Sequence, residues 1–143
     1  MKERYRLIAA VYLILLRNGQ ILMLRRFNTG YMDGAYSLPA GHVEPDESLR
    51  ACLAREAKEE IGIILNSADL SLVHTIHRPE DNGRLCFFFA AEKWQNEPRN
   101  LEPEKCDAMQ WFNLGALPKN MALEVAQALD CYQKKTVYSE LNW

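Results

Sequence analysis

Between Glu47 and Ile61 four apolar residues, Leu49, Leu53, Ala57 and Ile61, recur at intervals of four. That recurrence is one face of an α-helix. Gly62 follows at once, suited to the left-handed residue that ends a helix. Most of the other patterned segments read as strands. Residues 5–16 are rich in large apolar and β-branched side chains, and Asn18-Gly19 separates them from the apolar run "ILMLRR" as a hairpin signal. "NTGYMDG" reads as a glycine-containing loop and "AYSLPAG" as a short strand entering a turn. "DLSLVHTIHR" and "RLCFFFAAEKW" read as two strands joined by "PEDNG", and "AMQWFNL" reads as a further strand after the loop "NEPRNLEPEKC". A last amphipathic helix is expected from Asn120 to about Lys134, with Met121, Val125, Ala128, Leu129 and Tyr132 on its apolar stripe. Strands, a helix, strands and a final helix predict an α+β or mixed α/β sandwich, a mixed sheet flanked by the two helices.

With no repeat, low-complexity stretch or linker among the 143 residues, one domain over 1–143 is expected. The apolar run Leu7–Leu16 is too short to span a bilayer, and no small-residue cleavage site follows it. Cys52, Cys86, Cys106 and Cys131 are scattered without a C-x-x-C pair, which argues against a zinc site or a disulfide framework and for a reduced, cytoplasmic protein. The formal net charge of −2 supplies no general basic field for long nucleic acid.

The helix from Glu47 to Ile61 carries an electrostatic conflict. Glu56, Glu59 and Glu60 lie within about one turn of each other, where like charges repel by roughly 0.2–0.5 kcal/mol per pair. At about 100° per residue, Glu56 and Glu60 fall beside the Leu49–Leu53 stripe, not on the opposite, solvent face. Carboxylates turned toward a core must be neutralised or paired, and Arg55 alone cannot neutralise three of them. A hard divalent cation such as Mg²⁺ or Mn²⁺ prefers oxygen ligands and often binds carboxylates together with substrate phosphates. On the residues alone, a cation site and an ordinary charged helix both remain open.

The spacing goes further. Gly41, Glu47, Arg55-Glu56-Ala57, Glu59-Glu60 and Gly62-Ile63 stand at the intervals of the Nudix box. Ala57 is the soft point, where that pattern usually holds a larger aliphatic residue. "YSLPAG" resembles the strand and turn leading into the box, and "WFNLGALPKN" resembles the late strand and connector of MutT-type Nudix proteins.

The resemblance implies an α/β/α sandwich and Mg²⁺-dependent hydrolysis (with Mn²⁺ a possible substitute) of a nucleoside diphosphate linked to a further group X. The expected substrate is a small nucleotide, foremost a nucleoside triphosphate, with nucleotide sugars such as ADP-ribose and dinucleoside polyphosphates as alternatives. A Nudix-fold binding module without catalysis is the reading from another class. By motif position, Glu56 and Glu60 resemble core metal ligands and Glu59 a ligand or general base. The Gly41 carbonyl resembles a backbone ligand, Arg55 is expected to orient the glutamates, Glu47 sits where the family often has a structural or metal-linked acid, and Gly62 serves backbone geometry. A further metal-linked acid is expected from the later loop, Glu104 first and Glu102 as its rival. Arg26 matches an arginine that meets substrate phosphate, with Arg25 able to replace it, and Asn120 lies near where such proteins read a base edge. His42, His74 and His77, the run Phe87-Phe88-Phe89, Trp94, Trp111, Trp143 and Cys52 are expected to be packing or surface residues. No membrane is expected as partner, and the assembly is expected to be a monomer or homodimer.

Overall fold

Strand β1 (Ile8–Arg17) has no polar side: every residue from Ala10 to Leu16 is buried. Successive strand residues point to opposite faces of a sheet, so such a strand must be covered twice. Ala10, Tyr12, Ile14 and Leu16 enter one core, and Val11, Leu13 and Leu15 enter another. This is the architecture of the computed structural model, which describes residues 2–143. Helix α1 (Leu49–Ile61) closes the odd-numbered face with Cys52, Leu53, Ala57 and Ile61. Helix α2 (Leu123–Gln133) closes the even-numbered face with Val125, Ala128 and Leu129. Each fully buried aliphatic side chain contributes about 1.5–3 kcal/mol.

The remaining strands complete the sheet. Strand β2 (Gln20–Arg26) returns antiparallel to β1 through a turn in which Asn18 (φ 52°) and Gly19 (φ 74°) are both left-handed, as a type I′ hairpin requires. The short strands β3 (Tyr36–Ser37) and β4 (Ala40–His42) pair with β2 and β1 respectively. Strand β5 (Ser71–Arg78) runs antiparallel to β6 (Arg84–Ala91), which lies parallel to β1. The phenylalanine run divides as β1 does: Phe88 joins the α2 side, Phe87 and Phe89 the α1 side. Strand β7 (Cys106–Asn113) pairs with β2, and β8 (Tyr138–Glu140) adds a parallel edge beside β5. The result is a mixed sheet between two helices, the expected α+β sandwich.

Several boundaries differ from the sequence reading. The last helix begins at Leu123, not Asn120. The backbone of 120–122 is held by β3 instead: the Tyr36 N–H donates to the Asn120 carbonyl and the Ala122 N–H to the Tyr36 carbonyl. The first strand begins at Ile8, and helix α1 begins at Leu49 because Ser48 is its N-cap, its hydroxyl accepting from the Ala51 N–H at 3.1 Å. Strand β8 has no alternating pattern in its three residues, and its anchor is distant in sequence. His74, fully buried on β5, donates from Nδ1 to the Thr136 carbonyl at 2.7 Å and accepts at Nε2 from the Ser139 hydroxyl at 2.8 Å. The carbonyl can only accept, which fixes that tautomer. Trp143 donates from Nε1 to the His77 carbonyl and tilts against the His77 ring.

The turn before α1 is fastened by one bidentate ion pair. Arg55 Nη2 and Nε meet the two Glu47 carboxylate oxygens at 2.7 and 3.0 Å. The Glu44 N–H donates to the same carboxylate at 2.8 Å. The guanidinium, then the Glu44 amide, hold the Glu47 carboxyl at about 2, against an ordinary 4.5. A carboxylate depressed in this way stabilises the fold above its unfolded pKa, and that contribution fades as pH falls from about 4.5 toward 2.

Two outcomes are expected. In a carboxyl ¹³C titration Glu47 has its midpoint near 2, and Arg55→Leu moves it toward 4.5; a midpoint near 4.5 in the unaltered protein would show that the clamp is absent. His74→Ala, which strands two polar groups on the C-terminal edge, lowers the unfolding free energy in urea by about 1–3 kcal/mol.

Candidate active site

The C-terminal part of α1, strand β4, the end of β2 and the loop before β7 enclose a cleft of about 870 Å³. Glu56, Glu59 and Glu60 of α1 form one wall together with Gly41 of β4. The partly buried Glu60 accepts from the Ala40 N–H at 2.9 Å. Burial, with Glu56, Glu102 and Glu59 adding repulsion, raises its carboxyl well above the usual range, and the single amide opposes this only in part. Glu56 is also raised, chiefly by burial, against the pull of Arg55, whose Nη1 donates to it at 2.9 Å. Glu59 is more exposed and lies 3.4 Å from the same Arg55 nitrogen. Gly41 is required for space: a Cβ built there would overlap the Glu56 carboxyl group. Gly62, by contrast, is required for backbone geometry, since its φ of 72° is left-handed and its N–H caps Lys58.

The opposing wall is cationic. Arg25 and Arg26 both contribute to the lining, and the ladder between β2 and β7 shifts register opposite them because Asp107 is an extra residue on β7. Arg25 Nε is bound to Asp107 at 2.7 Å. Arg26 donates to the Tyr31 carbonyl and the Thr29 hydroxyl, and its guanidinium lies 5.1 Å from the centre of the Tyr31 ring. Of the two loop acids, the structure brings Glu102 to the cleft and not Glu104, which sits exposed on the turn and outside the cleft lining. The Lys105 and Cys106 amides both fold back onto the Glu102 carbonyl, a turn that leaves Glu102 at the cleft. Asn120 is also outside the lining; its amide donates to the Gly34 carbonyl at 2.9 Å and tethers the 27–34 loop.

Several cleft residues carry no signal in the sequence. Glu124, in the first turn of α2, is buried and accepts at Oε2 from the Tyr12 hydroxyl at 3.0 Å and from Arg78 Nη1 at 3.2 Å. Tyr31 reaches its Oε1 at 3.4 Å. Arg84 meets the His42 imidazole and bonds Asp81 at 3.0 Å, while its buried Nε has no hydrogen-bond partner. Burial, and then the Arg84 charge, lower the His42 pKa, consistent with a neutral ring accepting from Arg84. The one available hint was a carboxylate, Glu124, beside Val125 at the start of an apolar helix stripe. Cys52 is buried under α1, its thiol pushed up to about 12 mainly by burial, so it is no nucleophile.

The donor set suits a hard cation: carboxylates of Glu56, Glu59, Glu60 and Glu102 with the Gly41 carbonyl nearby, all oxygen, two of them raised by burial and mutual repulsion. Among the described residues, no three carboxylate, imidazole or thiol groups close into a ready-made cage. An open acidic wall is what Mg²⁺ uses when it keeps waters and shares substrate phosphates.

Comparison with known proteins gives the arrangement a family. The NUDIX domain model matches residues 5–131. The NAD-capped RNA hydrolase NudC of Chromobacterium violaceum is 34% identical over 114 residues, 80% of this chain and 41% of that protein. The chain therefore spans less than half the length of the NudC relatives it matches. The phosphatase NudJ of Shigella boydii is 31% identical over 116 residues, with 76% of each chain covered. The crystal structure of a MutT NUDIX hydrolase from Burkholderia pseudomallei superposes with a TM-score of 0.79 at 26% identity, over 87% of this chain and 97% of that one. A match running from residue 5 to residue 131 takes in every element from β1 through most of α2, and the chain accordingly belongs to the Nudix family.

Proposed function

We propose that this protein is a nucleotide pyrophosphohydrolase that uses Mg²⁺, with Mn²⁺ as a possible substitute, to hydrolyse a phosphoanhydride bond of a nucleoside diphosphate linked to X. A nucleoside triphosphate or a related nucleotide is the proposed substrate. The observation that carries this reading is one cleft with glutamates on one wall and arginines on the other. The Glu56, Glu59, Glu60 and Glu102 carboxylates and the Gly41 carbonyl would hold the cation. When bound, the ion would offset charge on phosphoryl oxygens and lower the pKa of a coordinated water. Arg26 and Arg25 stand on the facing wall to receive phosphate oxygens. Arg55, fixed by Glu47, sets the position of Glu56 and Glu59. Attack of water forms a new P–O bond and breaks the bridging one, and a carboxylate of the acidic wall takes the proton.

The catalytic reading is preferred to that of a non-catalytic binding module because the acidic wall is intact. Nucleotide sugars such as ADP-ribose, dinucleoside polyphosphates and the NAD cap named for NudC belong to the same bond class and are arms of the test. Four free cysteines fit a reducing cytoplasm. No helix among the described residues is long and apolar enough to cross a membrane.

With Mg²⁺ and a panel of triphosphates, ADP-ribose, dinucleoside polyphosphates and NAD, release of phosphate, pyrophosphate or nucleotide is expected. Glu56→Gln and Glu60→Gln are each expected to lower kcat by roughly 10²–10⁴-fold with the melting temperature retained. Turnover of no panel member, with nucleotide binding intact, would instead favour the binding module. Glu102→Gln is expected to weaken Mg²⁺ dependence while Glu104→Gln leaves it unchanged, and the opposite result would restore Glu104 to the site.

A further inference from the structure

The acidic wall accounts for the reacting phosphates and leaves Glu124, which also lines the cleft, without a role. Behind it, outside the cleft lining, Arg78 of β5 is buried between two carboxylates: Glu80, at 2.7 Å from Nε, and Glu124, at 3.2 Å from Nη1. One guanidinium thus faces two negative groups. Glu80 is partly open to solvent and receives Asn142 as well. Glu124 is not open, with 5% of its side chain exposed. Its two oxygens are served unequally. Oε2 takes both Tyr12 and Arg78. Oε1 has only the Tyr31 hydroxyl at 3.4 Å, from a side chain that is itself 41% exposed on the cleft rim. An ion pair kept only to pin α2 against β5 would be expected to satisfy both oxygens, because a buried acceptor left short of partners is costly.

We infer that Glu124 is a specificity-determining residue: its Oε1 accepts a hydrogen bond from an N–H or O–H donor on the nucleoside part of the substrate, displacing the long contact to Tyr31. The inference rests on the nucleotide reading above and deepens it. A carboxylate cannot donate, so the pocket favours groups that do, an exocyclic amino group of the base or a ribose hydroxyl. A carbonyl at the same place meets a negative oxygen and is disfavoured. Tyr12 and Arg78 both donate to Oε2, so the fold already uses Glu124 as an acceptor.

The test compares ligands that differ in one donor: GMP against IMP, AMP against purine riboside monophosphate, CMP against zebularine monophosphate, and each ribonucleotide against its 2′-deoxy counterpart. Binding is measured by NMR titration, with the Glu124 carboxyl ¹³C signal followed directly. At least one pair is expected to favour the donor-bearing member by roughly tenfold or more, the worth of a hydrogen bond to a charged group. A difference in the amino pairs assigns the base as donor, and one in the deoxy pairs assigns the ribose. Glu124→Gln, which can donate as well as accept, is expected to bring that ratio to within about twofold. If no pair in the unaltered protein differs by more than about twofold, or if the ratio survives in Glu124→Gln, the inference is overturned. The unaltered protein decides the matter even if the variant does not fold. Turnover across the panel without such discrimination overturns this inference and leaves the hydrolase reading standing; selective binding without turnover does the reverse.

Discussion

The two-sided burial of β1 is the constraint from which the remainder follows. A strand with apolar side chains from Ala10 to Leu16 cannot lie at a surface, so both helices are obligatory covers. Covering the odd-numbered face places α1 beside β4, the strand that pairs with β1 through Ala10, Val11 and Tyr12. That adjacency lets the Ala40 amide reach Glu60 and leaves Gly41 against Glu56. Covering the even-numbered face places α2 so that Glu124 meets Tyr12. The placing of the acidic wall and of Glu124 are therefore both consequences of one strand having two buried faces.

The acidic wall illustrates how a site is made costly and then retained. Burial and mutual repulsion disfavour the ionised forms of Glu56 and Glu60, and the Ala40 amide and Arg55 offset this in part. A cation bound there would relieve the same terms and would couple ligand binding to folding through these carboxylates. The Glu47 clamp is the opposite case, a carboxylate whose partners favour its charge and which holds the turn ahead of the helix.

What could be read in the sequence depended on distance along the chain. The helix of residues 49–61, its terminating glycine and the spacing of its glutamates are local, and their pattern is carried by neighbouring side chains. The sandwich class and the two helices followed from such patterns. Tyr12, Tyr31, Arg78 and Glu124 come from four separate stretches, Tyr12 and Glu124 being 112 residues apart, and only tertiary packing joins them. Strand β8 was invisible for the same reason, because its position is specified by His74 on another strand. Asn120 and Glu104 lie next to the right elements but on turns whose hydrogen bonding aims them elsewhere.

The shifted register between Arg25 and Arg26 deserves a last comparison with a regular strand. On an unbroken ladder a pair of adjacent arginines divides its charge between two faces. Here the extra residue lies on β7, between the partners of Arg25 and Arg26, and it is Asp107, the acid that binds Arg25. Arg25 is braced by Asp107, a neighbour on β7 that fixes its direction. Arg26 is braced by the loop it holds, through Tyr31 and Thr29, so its direction is tied to the conformation of that loop. One positive charge is thereby tied to the sheet and the other to the rim loop, and identical neighbouring side chains acquire different supports.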